Sequence, residues 1–475
     1  MKSTLFFILV MFLFWIPVSG QENFGIGISN YAPANSLLLN PSSIIDSKAF
    51  IDFHLLGVSA FATNDLVYLS GESGGLVGLA TSANEPEATF KGGKKRFHAY
   101  ADVLVQGPTI TAQIGKHAIG LYSGVRALAD VRGLDSRLST YLQEGFQYGP
   151  LIGSQTRVQD LKIDALSWAE FGLSYATIVK QEGNDLWLAG AHVKRLIGVA
   201  GGGFRLHDWF FEVADSSTMV TYNIDGSYGI REPGWSVGSG WGVDLGFTFK
   251  RTLQEITSYT PHDPQNKCRT CDYRFKIGVS LLDIGRVKFK PDYFVNDFNA
   301  GTEYEWDDFE AENPESVEEI AALINSEFEL PPNESDKFKM WLPGAISVQT
   351  DWRITSGVFV NASWIQGIPW KQSLGVRRAA VLAATPRFEI KRFELAIPIS
   401  MYEYTRPQVG LMLRLNSIVI GTDHIGNFLG GGDLYGADVY FHLKYTLFRN
   451  LACKKQKGAS RAAKKGAGFP PCPSW

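Results

Sequence analysis

The sequence predicts an all-β fold: a transmembrane antiparallel β-barrel of about 14 strands with a short helical insertion. Three observations carry that expectation. The chain opens on an export signal, and apolar and polar residues alternate through segments about ten residues long. After residue 20 no stretch of about 18 apolar residues occurs. Without a spanning helix, only strands closed on themselves satisfy every backbone N–H and C=O in lipid.

The export signal occupies residues 1–20. Lys2 supplies a positive start, Leu5 to Ile16 an unbroken apolar run, and Val18-Ser19-Gly20 the small residues of a cleavage site, so that Gln21 opens the mature chain. The competing reading, an uncleaved anchor, needs a longer run. No cysteine follows the run to carry a lipid anchor. A net charge of −3 gives no reason to expect a nucleic-acid partner. The 13% aromatic content and 49 glycines suit a membrane barrel whose partner is outer-membrane lipid.

Alternation is clearest in the last candidate strand. Ala437, Val439, Phe441, Leu443, Tyr445 and Leu447 fall on one face; Asp438, Tyr440, His442, Lys444 and Thr446 fall on the other. Upstream, Val409, Leu411, Leu413, Leu415 and Val419 oppose Gln408, Arg414 and Asn416, and Tyr273 to Leu281 alternates with Arg274, Lys276 and Ser280. A soluble sandwich also alternates. Segment length, mid-strand charges suited to a wet lumen (Asp164 and Glu170 among them) and the export signal favour the barrel.

Fifteen segments qualify, near residues 48–60, 97–107, 109–116, 118–131, 160–179, 184–200, 209–226, 238–251, 273–288, 344–353, 356–366, 376–390, 392–404, 407–421 and 435–448. Barrels of this kind use even numbers, so one is spurious or split, with 209–226 the first suspect. The barrel then spans 48–450, preceded by 21–47 and followed by a tail at 451–475.

Two insertions interrupt the pattern. Residues 62–95 are rich in Gly, Ser and Ala and read as a loop. Residues 289–340 are acidic: from Gly301 to Asp336 there is no Lys or Arg. Asn313-Pro314-Glu315 reads there as a helix start, with Val317, Ile320, Ala321, Ile324 and Phe328 as its apolar stripe. Glu303, Glu305, Asp307 and Asp308 form either a solvated charge run or a cation site; the solvated run is the expectation, with no metal or other cofactor.

Three stretches carry a family resemblance: Tyr31 to Leu69, Phe275 to Lys290 and Leu415 to Tyr445. Together they resemble an uncharacterised family of outer-membrane barrels typical of Bacteroidota, related to the fatty-acid transporter FadL and to PorV of the type 9 secretion machinery. The resemblance implies about fourteen strands and an N-terminal segment, residues 21–47, entering the lumen as a hatch. Asn35, Asn40 and Pro41 match the place of that hatch; ordinary turn chemistry before the first strand explains them equally. Gly278 and Asp283-Ile284-Gly285 resemble the family's central signature; Asp-Ile-Gly reads as a bend or strand end that needs a glycine backbone, not as catalytic.

Cys268 and Cys271 form a CxxC in a polar loop, and Cys453 and Cys472 bracket the tail. In an oxidising envelope the expected pairs are Cys268–Cys271 and Cys453–Cys472; a zinc site of all four needs loop and tail on one side. The tail has no acid from Leu451 on, while Lys454, Lys455, Lys457, Arg461, Lys464 and Lys465 make it a basic periplasmic arm. It is either solvated or holds an anionic surface or an acidic envelope protein. No H-E-x-x-H, G-x-S-x-G or phosphate loop is present, so no enzymatic role is expected.

Two functions follow. The first is a structural or assembly subunit of an envelope complex, docking through the tail and the acidic insertion. The alternative is a FadL-like passive channel for small hydrophobic solutes, with such a ligand in the lumen. A continuous apolar pocket under residues 30–45 speaks for the channel; a lumen packed shut speaks against it.

Overall fold

The computed structural model describes residues 22–69, 78, 88–90, 95–146, 148–215, 218–256, 259–263, 270–305, 337–369, 374–429 and 433–448. Val67–Leu69 and Ala88–Phe90, inside the stretch 62–95 expected to be a loop, pair as a separate two-stranded ladder. The other strands among the described residues number sixteen in chain order when halves of one stave are joined. They are β1 (Ile51–Asn64), β2 (Arg96–Gln106 and Thr109–Ile114), β3 (His117–Asp135), β4 (Gln155–Glu182), β5 (Asp185–Val213), β6 (Thr218–Arg231), β7 (Gly238–Thr252) and β8 (Tyr273–Phe289). Then come β9 (Tyr293–Glu305), β10 (Phe338–Trp341 and Ala345–Thr355), β11 (Val358–Gly367) and β12 (Val381–Ile390). The last four are β13 (Phe393–Ala396 and Ile399–Tyr402), β14 (Arg406–Val409 and Leu411–Leu415), β15 (Ile418–Thr422) and β16 (Gly436–Leu447). The breaks inside β2, β10 and β13 contain Pro108, Pro343 and Pro398, which lack the N–H a ladder needs.

All sixteen but β6 and β9 form one closed antiparallel ring of 14 staves. β1 closes it by pairing with β16 from Ile51↔Leu447 to Thr63↔Gly436. The count resolves the fifteen candidate segments. Segments 97–107 and 109–116 are one stave, because both halves of β2 pair with β1 and β3. Segment 407–421 is two staves, β14 and β15, joined by a tight turn at Asn416. That turn reverses Val419, which is fully buried instead of sharing the outward face of Leu411 and Leu415. Tyr273 is likewise turned inward, by a register shift between Arg251 and Thr252. Segment 209–226 straddles the end of β5 and the start of β6 and lies outside the ring.

One end of the ring, the turn end, carries short connections such as 115–116, 183–184 and 416–417, together with the chain ends at Ile51 and Leu447. The other, the loop end, carries the long excursions. There β4 and β5, at 28 and 29 residues, outrun the roughly 10 residues needed to cross a bilayer. Their upper halves continue into a four-stranded sheet with β6 and β9. A helix the sequence reading missed, Ser136–Glu144, covers this sheet and buries Leu138 and Tyr141 against Leu161, Phe211 and Val213. Asp135 caps it, accepting from the Arg137 amide at 2.8 Å.

The faces of the ring are inverted relative to a soluble protein. Leu173, Ile119, Leu245, Ile420 and Phe441 lie exposed on the outside, while Asp52, Glu170, His192, Arg387 and Lys444 are buried inside. Period two places oily side chains toward lipid and polar ones toward the lumen. Among the described residues no helix is long and apolar enough to cross a membrane.

Candidate functional site

The lumen is occupied by residues 22–50. This segment cannot continue as a strand: Pro33 and Pro41 each sit at the start of a helical turn, Pro33–Ser36 and Pro41–Ile44, and Asn40 caps the second by accepting from the Ser42 amide at 3.0 Å. No backbone–backbone hydrogen bond of residues 22–49 joins the wall, so the segment is held by side chains alone. Asn35 and Asn40, with Pro41, are buried in it.

The Asn40-Pro41 turn lies directly on the wall. A Cβ at Gly246 would sit 2.1 Å from Asn40 Oδ1, one at Gly278 2.6 Å from Asn40 Nδ2, and one at Gly190 2.6 Å from the Pro41 carbonyl carbon. Three adjacent staves therefore present bare backbone where the turn docks. Asn40 Nδ2 donates to Thr248 Oγ1 at 3.3 Å, and the Ser42 hydroxyl lies 2.7 Å from the same oxygen. Ser280 and Gln349 donate to the Leu39 carbonyl at 2.6 and 3.0 Å. Asn35 Nδ2 approaches His442 Nδ1 at 3.3 Å on the opposite wall.

Charge fixes both ends of the segment. Near its exit, Asp46 accepts from Lys250 at 2.6 Å and Lys276 at 3.0 Å. Burial pushes the Asp46 carboxyl up, but the two ammonium groups outweigh it and hold it below its usual range. At its start, Glu22 accepts two hydrogen bonds from Arg378, both at 2.5 Å. Arg378 comes from the β11–β12 connection, which folds into the lumen from the loop end and also reaches Asp283 at 3.4 Å. Burial disfavours its charge, yet Glu22 and Asp283 hold the guanidinium above its ordinary pKa.

Asp283 is the hub that the sequence reading passed over as a bend. It has a φ of 53° at a register shift between β7 and β8, and it pairs with Arg126 at 2.8 Å and with Lys194. Lys194 also reaches Asp244 at 2.9 Å. Gly285 lies inside β8, and a Cβ there would meet the Trp241 carbonyl oxygen of the neighbouring stave at 2.2 Å, so that position needs glycine for close approach of the two strands. The motif's one sequence signal was an Asp two residues before a Gly in an alternating strand. Asp164, read from sequence as a lumen residue, accepts from Arg132 and Arg205 at 2.8 and 2.7 Å.

Above this ionic layer, toward the loop end, the lumen is apolar. Phe61, Leu128, Leu166, Trp168, Leu196 and Phe289 line it as one buried cluster. From one side Phe24, Ile28 and Leu39 of the segment pack into it; from the other, Leu374, Val376 and Ala379 of the inward loop. The space left open beneath is small. Two cavities of about 40 Å³ each border residues 22–47, lined by Asp102, Arg126, Lys194 and Asp283 in one and by Asn30, Asp46, Lys276 and Asp351 in the other. Each has room for one or two waters. Neither of these two cavities is the continuous apolar pocket that the channel reading expects under residues 30–45.

Other expected features fall at the turn end or beyond the described residues. Cys271 is buried in the β7–β8 connection, its amide donating to the Tyr259 hydroxyl at 3.3 Å. That connection opens at the same end as Leu447, from which the tail departs. Residues 1–21, Cys268, Cys453, Cys472, the helix start at Asn313 and the tail cations from Lys454 to Lys465 lie outside the described residues. Among the described residues no group of three or more His, Cys, Asp or Glu is placed to hold a metal ion.

A family model described as "Family of unknown function (DUF5723)" matches residues 41–423. The chain belongs to that family. Its matched region begins at Pro41 of the docked turn and runs through the wall to Asp423. No curated protein matches it. Among solved structures it is similar to a Pseudomonas aeruginosa FadL homologue, at 12% identity and TM-score 0.41, over 92% of this chain and 99% of that one. It is also similar to the Pseudomonas putida toluene transporter TodX, at 8% identity and TM-score 0.31, over 90% and 96%. A TodX deletion mutant described as a monoaromatic hydrocarbon channel gives 10% identity and TM-score 0.38, over 88% and 95%. The barrel assignment rests on the closed ladder itself.

Proposed function

We propose that this DUF5723 protein is an outer-membrane conduit for small hydrophobic solutes, closed at rest by its own N-terminal segment. One observation carries the reading. The apolar upper lumen is sealed between two elements, residues 22–49 and residues 374–380, and among the described residues the first shares no backbone–backbone hydrogen bond with the wall, which the chain joins only at Phe50. Withdrawing it leaves the ring of strands intact and opens a path beneath an apolar compartment. Structures described as a monoaromatic hydrocarbon channel and a toluene transporter are among the barrels the chain resembles.

The test is a reversible staple. The hydroxyls of Ser42 and Thr248 lie 2.7 Å apart, so the pair S42C and T248C ties segment to wall. Uptake of a small aromatic hydrocarbon into vesicles holding the stapled protein is expected to be lost on oxidation and restored on reduction. Uptake indifferent to the staple counts against the gate.

A second reading, the assembly subunit, draws support from the ion-paired middle of the lumen, where two cavities of about 40 Å³ each hold room for no more than one or two waters. It expects a stoichiometric partner in mild detergent, lost when residues 451–475 are deleted, and no solute uptake in either redox state.

A further inference from the structure

We propose that the outer wall of the barrel carries a binding site for the phosphate of a membrane glycolipid headgroup, on staves β5, β7, β8 and β10. The site begins as a row fixed by strand register. Arg195 pairs with Trp241, Trp241 with Arg286, and Arg286 with Trp341, one residue from each stave. Neighbouring strands lie about 4.8 Å apart, so the row spans roughly 14 Å. Each arginine lies over an indole: Arg195 is 5.3 Å from the Trp241 centroid and Arg286 5.4 Å from that of Trp341. Trp241 is 60% exposed, which places the row on the lipid side of the wall.

One pleat nearer the loop end, Lys288 stands directly opposite Lys339, both exposed. Like charges facing each other across two strands destabilise a sheet, so this pair needs an anion. The chain does not supply it among the described residues, where Arg195, Arg286, Lys288 and Lys339 have no carboxylate partner. Among the described residues Arg195 donates only to the Gly240 carbonyl, at 3.1 Å.

The position names the ligand class. Toward the turn end the outer face becomes an apolar belt: Val193 is exposed two residues from Arg195, and Leu245, Leu281 and Ile346 are exposed four or five residues from the row along their own staves. Tryptophans at the edge of such a belt sit at the headgroup level. Long connections mark the loop end as the outward one. A phosphate there meets two stacked guanidinium forks and two ammonium groups, while its acyl chains lie on the belt. This inference is independent of whether the lumen conducts.

Native mass spectrometry of the full chain in mild detergent tests it, with a phosphorylated acyl-glucosamine disaccharide and its phosphatase-treated counterpart as probes. The wild type is expected to retain the phosphorylated lipid at least tenfold better. R195Q/R286Q/K288Q/K339Q is expected to bring retention down to that of the treated lipid. R251Q, at the turn end where Arg251 pairs with Asp185, is expected to leave it unchanged. Heat-modified gel mobility reports folding; if the quadruple variant fails to fold, K288Q/K339Q replaces it, with a several-fold loss expected. Equal retention of the two lipids by the wild type, or undiminished retention by a folded variant, overturns the proposal.

Discussion

Arg378 and Glu22 join the two elements that fill the lumen from opposite ends, through a pair of hydrogen bonds 2.5 Å long. The link is buried, and Asp283 of the wall lies on its far side. Removing one partner of such a pair strands the other charge in a dry site, at a cost of about 3–5 kcal/mol. The barrel ladder does not depend on it. Arg378→Ala is therefore expected to loosen the segment without unfolding the ring. Protease cleavage within residues 22–49 of the reconstituted protein is expected to rise at least tenfold, while gel mobility stays that of a folded barrel. The exchange E22R/R378E is expected to recover part of the protection. A segment as resistant in Arg378→Ala as in the wild type contradicts the latch.

The docking of the Asn40-Pro41 turn makes a sharper steric prediction. Gly246→Val places side-chain atoms where Asn40 Oδ1 already lies, 2.1 Å from the added Cβ. That contact is not a flexible side-chain tip, because Asn40 is fixed by Ser42 and Thr248. The turn is expected to lift, with faster hydrogen exchange at residues 40–46 and little change in the wall. Gly426→Ala, where an added Cβ meets nothing within 4 Å, serves as the control.

How much of this was legible in the sequence depends on where each interaction partner lies along the chain. Alternation is local: Asp438 to Lys444 declares a lumen face without knowledge of any other segment. The stave count needed one further step, because a proline such as Pro108 interrupts a ladder without ending a stave. The β5 extension stayed hidden because its pairing with β6 and β9 has the same alternation as the ring. The ionic hub was illegible for a different reason. Arg126, Lys194, Asp283 and Arg378 come from four distant places, and only closure of the ring brings them together. Asn40 and Pro41 could be read as a turn but not as a docked one, since the glycines that receive them sit 149 residues and more downstream.

The outward face can be checked one residue at a time. Leu173 is 66% exposed near the middle of β4, whereas Ser174 is buried with its hydroxyl 2.7 Å from His192 Nδ1. Leu173→Arg is expected to cost about 2–4 kcal/mol in urea unfolding from lipid vesicles, the penalty for arginine near the bilayer midplane. Ser174→Ala, which removes one neutral hydrogen bond on the wet face, is expected to cost about 1 kcal/mol. Similar costs for the two would mean that lipid does not contact this face.

Acid should loosen the base of the segment in two separable steps. His262, in the β7–β8 connection, is buried against Phe50, with ring centroids 5.6 Å apart. Burial pushes its pKa down from 6.5 to about 4, although the backbone of Ser47 and Ala49 favours the charged ring. A depressed folded pKa means that the unfolded form takes up the proton first. The stability held by neutral His262 is therefore complete above pH 6.5 and lost as pH falls toward 4, about 3 kcal/mol in all. Asp46 acts lower. Lys250 and Lys276 hold its carboxyl below the usual 3.8, so its anchoring is complete above that value and disappears only beneath it. Hydrogen exchange at residues 44–50 is expected to accelerate first between pH 6.5 and 4 and again below 3.8. His262→Gln is expected to abolish the upper step and leave the lower one, while Asp46→Asn does the reverse. A single transition that both substitutions shift equally would show that the two groups do not hold the segment independently.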